Sequence, residues 1–241
     1  MTTDPARYAR PYLMQPTMNT IRFMAGVDTV YLTSAELLID KSIVLSGDPA
    51  YTCVIKQDTI PKFRIFRIQS TDSLHVEFYN LSITKGHAPD GDAADLHGKH
   101  GGGIFVSDSC HDLMLTNCII RENQAGDGFR TYSSSITGSG GSGGGIYSLS
   151  KIELFNCQFN NNAAGKGANA ASGGDWDAQH AGAGGAGGGI YCTNDLTFEN
   201  CTIINNHSGA GGNAFGTTYS SGAMEEMAVM QQIPSLHVLG V

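Results

Sequence analysis

Residues 101–123 read GGGIFVSDSCHDLMLTNCIIREN, and two later stretches of the chain repeat their main features. Residues 143–162 read GGGIYSLSKIELFNCQFNNN and residues 187–206 read GGGIYCTNDLTFENCTIINN, at offsets of 42 and 44 residues. Each copy combines GGGI[FY] with an alternating segment, an Asn-Cys pair and a closing Asn. A fixed period of about 20–50 residues is typical of stacked repeat architectures. The chain is therefore predicted to be a repeat protein.

Within each copy, apolar residues alternate with polar ones, which is the period of a half-buried strand. In the first copy Leu113 and Leu115 lie on one face of the strand. After Asn117 the apolar alternation shifts by one residue, so that Cys118 and Ile120 lie on that face. A shift of phase at an Asn predicts a bend, because Asn tolerates left-handed backbone angles. Copies stacked at about 4.8 Å would bury their apolar faces along one axis. This pattern predicts an all-β fold, a right-handed single-stranded parallel β-helix.

The repeated block is shorter than the period, so part of each period must lie outside the regular coil. The block fills about 20–22 residues, the usual size of one coil. Segments rich in Gly, Ala and Ser follow the blocks at residues 126–143, 165–187 and 209–222. We expect these Gly-rich loops to be extruded between coils, all on the same side of the solenoid. A fourth copy at residues 76–83 has Leu81 where the later copies have Cys.

The chain divides into three segments on this pattern. Residues 1–18 form an irregular N-terminal segment, residues 19–222 the parallel β-helix domain, and residues 223–241 a tail without the repeat. Short alternating runs at residues 30–32, 37–39 and 43–45 are interpreted as strands of the first coils. The tail has two readings, a capping helix of one or two turns or a segment foreign to the fold that arose by truncation or a changed reading frame.

Composition excludes several function classes. The 241 residues (25.4 kDa) are 41% hydrophobic and carry a net charge of −8, which argues against a nucleic-acid-binding surface. No apolar run approaches the roughly 18 residues of a membrane-spanning helix. Residues 1–20 have no apolar stretch after their two arginines, so no secretory signal is expected there. Six cysteines without a CxxC pair do not form a disulfide scaffold.

These motifs resemble the polymorphic outer membrane protein repeat family and related right-handed parallel β-helix surface proteins. The family signature is GG[AG]I[YF], then a strand ending in Asn-Cys or Asn-Ser, then [FI]-x-x-N. The matching pairs here are Asn117-Cys118, Asn156-Cys157 and Asn200-Cys201, and the closing residues are Asn123, Asn162 and Asn206. The resemblance covers roughly residues 19–213, and the stretch 19–48 is similar to the leading segment of such proteins.

The resemblance implies a non-catalytic exported protein at the cell surface, in the outer membrane or outside the cell, with an adhesive or structural role. Surface glycans, or proteins of a host or a neighbouring cell, are the implied partners, and the chain is expected to be a monomer or part of a longer protein. The alternative is a polysaccharide-active enzyme, because pectate lyase-like and polygalacturonase-like enzymes share this pectin lyase-like fold.

The candidate acidic residues do not match either kind of enzyme. Glycosidic hydrolysis needs two carboxylates that face one sugar. Asp90, Asp92 and Asp95, or Asp175 and Asp177, lack the hydrolase pattern of Asn-x-Asp, Asp-Asp and Gly-His-Gly. A lyase would need a basic residue beside a calcium-binding carboxylate cluster, and the repeats contain few Lys and Arg. No catalytic residue is therefore predicted.

Two polar segments are the remaining candidates for ligand contact. His87, His97 and His100, with the three aspartates of 90–95, form the densest set of potential metal ligands. We interpret them as a solvated loop, so no metal or cofactor is predicted. The second segment contains the only Trp, and an exposed Trp can stack on a sugar ring or fold back onto the solenoid. Its candidate ligand-contact residues are Asp175, Trp176, Asp177 and His180.

The Cys118, Cys157 and Cys201 column is predicted to be core rather than a redox or metal site, because buried Cys behaves as a small hydrophobe. The neighbouring Asn117, Asn156 and Asn200 are predicted to form an amide ladder at the bend. The triple Gly precedes a strand and lacks GxxxxGK[ST], so nucleotide binding is excluded.

Overall fold

The structure is a computed structural model that describes residues 18–50, 52–58, 60–131, 137–170 and 180–213, with the strand backbones of 229–231 and 236–239. These described residues form strands, turns and extended segments and include no helix, hence no helix that could span a membrane. The predicted all-β class is therefore confirmed.

The strands are short, mostly three to five residues, and most are separated by tight bends. In chain order they are β1 (Asn19–Arg22), β2 (Thr29–Leu32), β3 (Leu37–Ile39), β4 (Ile43–Ser46), β5 (Cys53–Gln57), β6 (Phe66–Ile68), β7 (Leu74–Tyr79), β8 (Leu81–Thr84), β9 (Ile104–Val106), β10 (Cys110–Thr116), β11 (Ile119–Arg121), β12 (Ile146–Ser148), β13 (Lys151–Phe155), β14 (Gln158–Asn160), β15 (Ile190–Cys192), β16 (Leu196–Glu199), β17 (Thr202–Ile204), β18 (Val229–Gln231) and β19 (Leu236–Leu239).

Three parallel sheets result, because each strand pairs with the strand three places before it. The first sheet has the order β1-β4-β7-β10-β13-β16-β19, the second runs from β2 to β17 and the third from β3 to β18, again in steps of three. One coil thus contributes one strand to each sheet, and the fold is a parallel β-helix. Right-handed winding is the expected hand, as for nearly all parallel crossovers.

The N-terminal third and the tail both contribute strands to these sheets. The predicted early strands are confirmed as β2, β3 and β4, which begin the second and third sheets and continue the first. In the tail, β18 pairs in parallel with β15 and β19 with β16. The division of the chain into the three segments 1–18, 19–222 and 223–241 stays a prediction.

Left-handed residues mark corners of the coils from β7 onward. At the bend between the first and second sheets, the four Asn residues have φ between 52° and 55°: Asn80, Asn117, Asn156 and Asn200. The predicted bend is therefore confirmed, since Asn adopts this conformation more readily than other non-glycine residues. The GGG segments provide the corner before the third sheet, where Gly101, Gly143 and Gly187 have φ of 64–72°.

Identical or similar apolar side chains stack in columns inside the solenoid. In the first sheet Leu115 pairs in register with Leu154, and in the third sheet Ile104, Ile146 and Ile190 are aligned. All five side chains are fully buried. The in-register stacking of the repeat blocks was therefore predicted correctly.

An amide ladder lies at the second corner and is formed by the closing Asn of each copy. Asn162, fully buried, donates through Nδ2 to the carbonyl oxygen of Ile120 at 2.9 Å and to Oδ1 of Asn206 at 2.8 Å. Its own Oδ1 accepts from Nδ2 of Asn123 at 3.0 Å. At the first corner, by contrast, the Nδ2 of the exposed Asn117 donates to Oδ1 of a half-buried Asn80 at 3.2 Å.

Candidate functional site

The Gly-rich loops leave the coils at one corner, between the second and third sheets, as predicted, and they bond to one another. We call their extended segments the slab. The outgoing segments are residues 87–91, 124–130, 163–170 and 207–213, and the returning segments are 96–101, 137–143 and 180–187. The outgoing segments are aligned by parallel bridges that join His87, Gln124, Ala163 and His207 in series.

Backbone hydrogen bonds in the slab recur every third residue. In the outgoing segment 163–170, three N–H groups donate to the next outgoing segment at 2.8–2.9 Å: Ala164, Gly167 and Ala170. The N–H groups of Gly165 and Ala168 donate instead to the returning segment 137–143, at 2.8 and 3.0 Å. Three residues per turn is the repeat of a polyproline II-type helix. The slab is thus two layers of such helices, which bond within and between layers.

Glycine is required where the two layers meet. The N–H of Gly141 donates to the carbonyl of Gly126, that of Gly165 to Gly141 and that of Gly185 to Gly165, each at 2.8 Å. A Cβ on Gly165 would overlap the carbonyl oxygen of Gly126 and lie 2.6 Å from its carbon. Close approach of two backbones is a common reason for glycine. The high glycine content therefore has a structural cause.

The third position of each turn carries side chains that line an open groove of about 590 Å³ on the outgoing layer. Its polar residues are Asp127, Arg130, Lys166, Asn169 and Asn213. Asp127 Oδ1 accepts from the N–H of Lys166 at 2.8 Å, and Asn169 Oδ1 accepts from the N–H of Asn213 at 2.8 Å. These bonds hold the side chains in place between adjacent outgoing segments.

One end of the slab is a set of residues that we call the slab tip: Arg130, Thr137, Ala170, His180 and Asn213. Arg130 pairs with Thr137 in an antiparallel bridge, and a guanidinium nitrogen of Arg130 donates to the carbonyl of Ala170 at 2.6 Å. The hydroxyl of Thr137 donates to the carbonyl of His180 at 2.5 Å. Successive loops are therefore joined to one another at the tip.

Of the four predicted ligand-contact residues, the structure describes His180, which lies at this tip. His180 is exposed and its carbonyl accepts from Thr137, as above. Asp175, Trp176 and Asp177 lie outside the described residues. In sequence these three lie between Ala170 and His180, both of which belong to the slab tip. Their role in ligand contact stays a prediction.

Most members of the densest sequence cluster of His and Asp form hydrogen bonds within the slab, although the buried Nε2 of His87 has no hydrogen-bond partner among the described residues. Asp90 accepts from the Lys62 ammonium at 2.6 Å and from the N–H of Asp127 at 2.9 Å. Although burial opposes the shift, these donors hold the pKa of Asp90 below its ordinary value. His97 Nδ1 accepts from the N–H of Ser139 at 3.1 Å, and His100 Nδ1 from that of Ser142 at 2.8 Å. Asp90 thus joins two adjacent outgoing segments, and His97 and His100 join two adjacent returning segments.

The carboxyl groups with a resolved shift are not those of a general acid. A glycosidase acid needs a raised pKa. Backbone N–H groups of Asp95 and Ala94 lower the pKa of Asp92, and the Lys99 ammonium lowers that of Asp95. The pKa values of Asp90, Asp92 and Asp95 are thus all lowered.

An aromatic column follows the outer side of the third sheet. The rings of Phe105, Tyr147 and Tyr191 stack nearly parallel, with centroids 5.6 and 5.1 Å apart. His100 stacks on Tyr147 at 4.3 Å, and the Arg64 guanidinium lies 5.2 Å over Phe105. Because the rings face each other, both faces of Phe105 and Tyr147 and one face of Tyr191 are occupied. The column therefore links the coils rather than offering a platform for a sugar.

Five of the six cysteines are buried thiols, and Cys201 is half-buried. Cys118 and Cys157 are fully buried, and the described cysteines form no disulfide. Burial raises the pKa of Cys110 to about 12 and that of Cys192 to about 11. A raised pKa suppresses the reactive thiolate. This agrees with the predicted packing role.

Sequence reasoning missed one group, on the outer side of the first sheet: His75 on β7 with His111 and Asp112 on β10. Their candidate ligand atoms all lie within 4.8 Å of one another. The signal for it is positional, because His75 occupies in its copy of the repeat the place that Asp112 occupies in the next.

No family model, curated protein or solved structure matches the chain.

Proposed function

We propose that the chain is a non-catalytic binding module of an exported or cell-surface protein, adhesive or structural, related to the polymorphic outer membrane protein repeat family. The GGGI[FY] and Asn-Cys motifs support the relationship, since they occupy equivalent corners and core columns of successive coils. The slab supports the binding role, because function on regular scaffolds is usually carried by loops.

One observation carries the proposal: the loops are bonded to one another instead of extending separately into solvent. Backbone hydrogen bonds of 2.8 Å connect Gly126, Gly141, Gly165, Gly185 and Gly209 through both layers. A surface that is ordered before binding avoids much of the entropy cost of association. The slab therefore presents the groove and the slab tip as a preformed surface.

The groove chemistry favours a glycan as the partner. Asp127, Lys166 and Asn169 provide charges of both signs and an amide within about 590 Å³ of open space. Sugar hydroxyls both donate and accept hydrogen bonds, so a mixed set of this kind is complementary to them. The net charge of −8 disfavours nucleic acid. A surface protein is the other candidate partner.

Binding of the untagged protein to an array of surface glycans tests the proposal. Wild type should bind at least one glycan class, and Lys166→Ala/Asn169→Ala should bind it about tenfold or more weakly, as expected for one to two lost polar contacts. The matched control is Lys151→Ala, which removes a lysine from β13 on the first sheet. Equal loss in the control, or full binding after deletion of the slab tip, would contradict the proposal.

Two further measurements distinguish glycan binding from binding to a protein partner and from catalysis on polysaccharides. Attachment to cells that persists after enzymatic removal of surface glycans would favour a protein partner. Incubation with pectic and other acidic polysaccharides should produce neither new reducing ends nor unsaturated products. Their appearance would contradict the non-catalytic role and favour a lyase or hydrolase on this fold.

A further inference from the structure

Three side chains with metal-ligating atoms converge on the outer face of the first sheet, away from the slab. Nδ1 of His75 lies 2.7 Å from Oδ1 of Asp112, and Nδ1 of His111 lies 3.8 Å from its Oδ2. The two imidazole rings have centroids 4.6 Å apart. The three side chains form one cluster, and they come from two successive coils.

A β-bulge brings the cluster together. Cys110 pairs with Leu74 and Asp112 with His75, so His111 is an extra residue in β10 with no partner in β7. In a regular strand, consecutive residues such as His111 and Asp112 would point to opposite faces. A bulge redirects a side chain in this way and is frequent beside functional sites. The irregularity in an otherwise regular ladder thus coincides with the cluster.

We propose that His75, His111 and Asp112 bind a divalent transition-metal ion, Zn²⁺ being the best match. Zinc bonds of about 2.0–2.2 Å place two ligand atoms of a tetrahedral ion about 3.4 Å apart. His75 Nδ1 lies 2.7 Å from one Asp112 oxygen and His111 Nδ1 lies 3.8 Å from the other, and the candidate ligand atoms all lie within 4.8 Å of one another. Side-chain shifts of about 1 Å would therefore bring them around one ion. Two imidazoles and one carboxylate are ligands for zinc and its neighbours, whereas calcium and magnesium prefer oxygen alone.

Exposure and charge are compatible with entry of an ion. The His111 side chain is 60% exposed, whereas that of Asp112 is 6% exposed. The cluster therefore has a buried carboxylate and one imidazole exposed to solvent, from which an ion can enter. Lys151, which pairs in register with Asp112, directs its ammonium to Glu153 at 2.9 Å. The ammonium of Lys151 is thus paired with the carboxylate of Glu153.

Metal binding would join two coils, since His75 belongs to β7 and the other two ligands to β10. An ion that binds only the folded chain stabilises it by mass action. At a hundredfold excess of Zn²⁺ over Kd, we expect Tm to rise by about 5–10 °C. The site is independent of the glycan-binding role of the slab.

Calorimetric titration of the untagged protein with Zn²⁺, with Tm measured in parallel, tests the proposal. Wild type should bind one ion per chain, and His111→Ala and Asp112→Asn should each weaken binding at least about tenfold and abolish the rise in Tm. His111 is exposed, so its removal leaves the fold intact. The control His207→Ala removes an exposed histidine from a later coil and should bind as wild type does.

Replacement of Zn²⁺ by Co²⁺ gives a second readout, because d–d absorption reports nitrogen and oxygen ligands directly. Bands should appear in wild type and be lost in His111→Ala. The proposal is wrong if wild type shows no saturable binding at about 100 μM Zn²⁺, or if both site variants bind with the wild-type affinity.

Discussion

Substitution of Gly165 by Ala should separate the two layers of the slab locally. The new Cβ would lie 2.6 Å from the carbonyl carbon of Gly126 and 2.8 Å from the nitrogen of Gly141. Non-bonded atoms pack at about 3.5 Å, so Gly165 must move by about 1 Å away from Gly126 in the adjacent outgoing segment and from Gly141 in the returning layer. Hydrogen bonds of 2.8 Å then lengthen to about 3.8 Å, beyond the range of a normal bond.

Three bonds are affected: Gly141 to Gly126, Gly165 to Gly141 and Gly185 to Gly165. At a net value of about 1 kcal/mol each, their loss costs about 3 kcal/mol. The lower chain entropy of unfolded Ala returns about 0.4–1 kcal/mol. The slab should therefore be destabilised by about 2–3 kcal/mol.

Amide hydrogen exchange is the appropriate assay, because a solenoid need not unfold in one step. In Gly165→Ala, the amides of Gly141 and Gly185 should exchange about 30–150-fold faster than in wild type, which is the rate equivalent of 2–3 kcal/mol. The control Lys166→Ala changes the adjacent side chain, which lines the groove, and should leave these amides protected. Equal protection in Gly165→Ala and in the control would refute the close contact between layers.

The other predictions concern the solenoid. Leu154→Asp buries an unpaired carboxylate in a fully buried column and should lower stability by at least about 4 kcal/mol, whereas Gln158→Asp, on an exposed site of β14, should leave Tm nearly unchanged. Asn162→Ala removes an amide from the buried ladder and should cost about 2–4 kcal/mol in urea unfolding, with no such loss expected if the ladder is absent. The folded pKa values of about 12 for Cys110 and about 11 for Cys192 exceed the ordinary 9.0, so their contribution is complete below pH 9 and is lost as pH rises towards 12. Tm of wild type should fall more steeply over that interval than Tm of Cys110→Ala/Cys192→Ala, and parallel profiles would contradict the burial of these thiols.

The solenoid was predictable because its signal is carried by side chains. Alternation around Leu113 and Leu115 defines a strand, and repetition at a fixed period defines what each strand stacks on. The shift of phase at Asn117 marks the corner, which the structure shows as a left-handed residue with φ of 54°. Apolar columns and corners thus follow from one repeated pattern.

The slab was not predictable in the same way, because its helices are held by backbone bonds and contain few large apolar residues. Composition indicates Gly-rich loops at residues 126–143 and 165–187, but no apolar period marks the bonding every third residue. The cluster of His75, His111 and Asp112 was not predicted for another reason. The bulge at His111 adds one residue to β10, so spacing alone does not place His111 beside His75.

Scalar couplings across hydrogen bonds, measured by NMR on deuterated protein, test most directly whether the glycine-rich loops form a two-layer slab. Couplings should connect the nitrogen of Gly141 with the carbonyl carbon of Gly126, that of Gly165 with Gly141, and that of Gly185 with Gly165. The parallel sheets provide the internal reference, for example the bond from the nitrogen of Ile146 to the carbonyl of Gly189 at 2.9 Å. Couplings in the sheets without couplings between these glycines would contradict the slab.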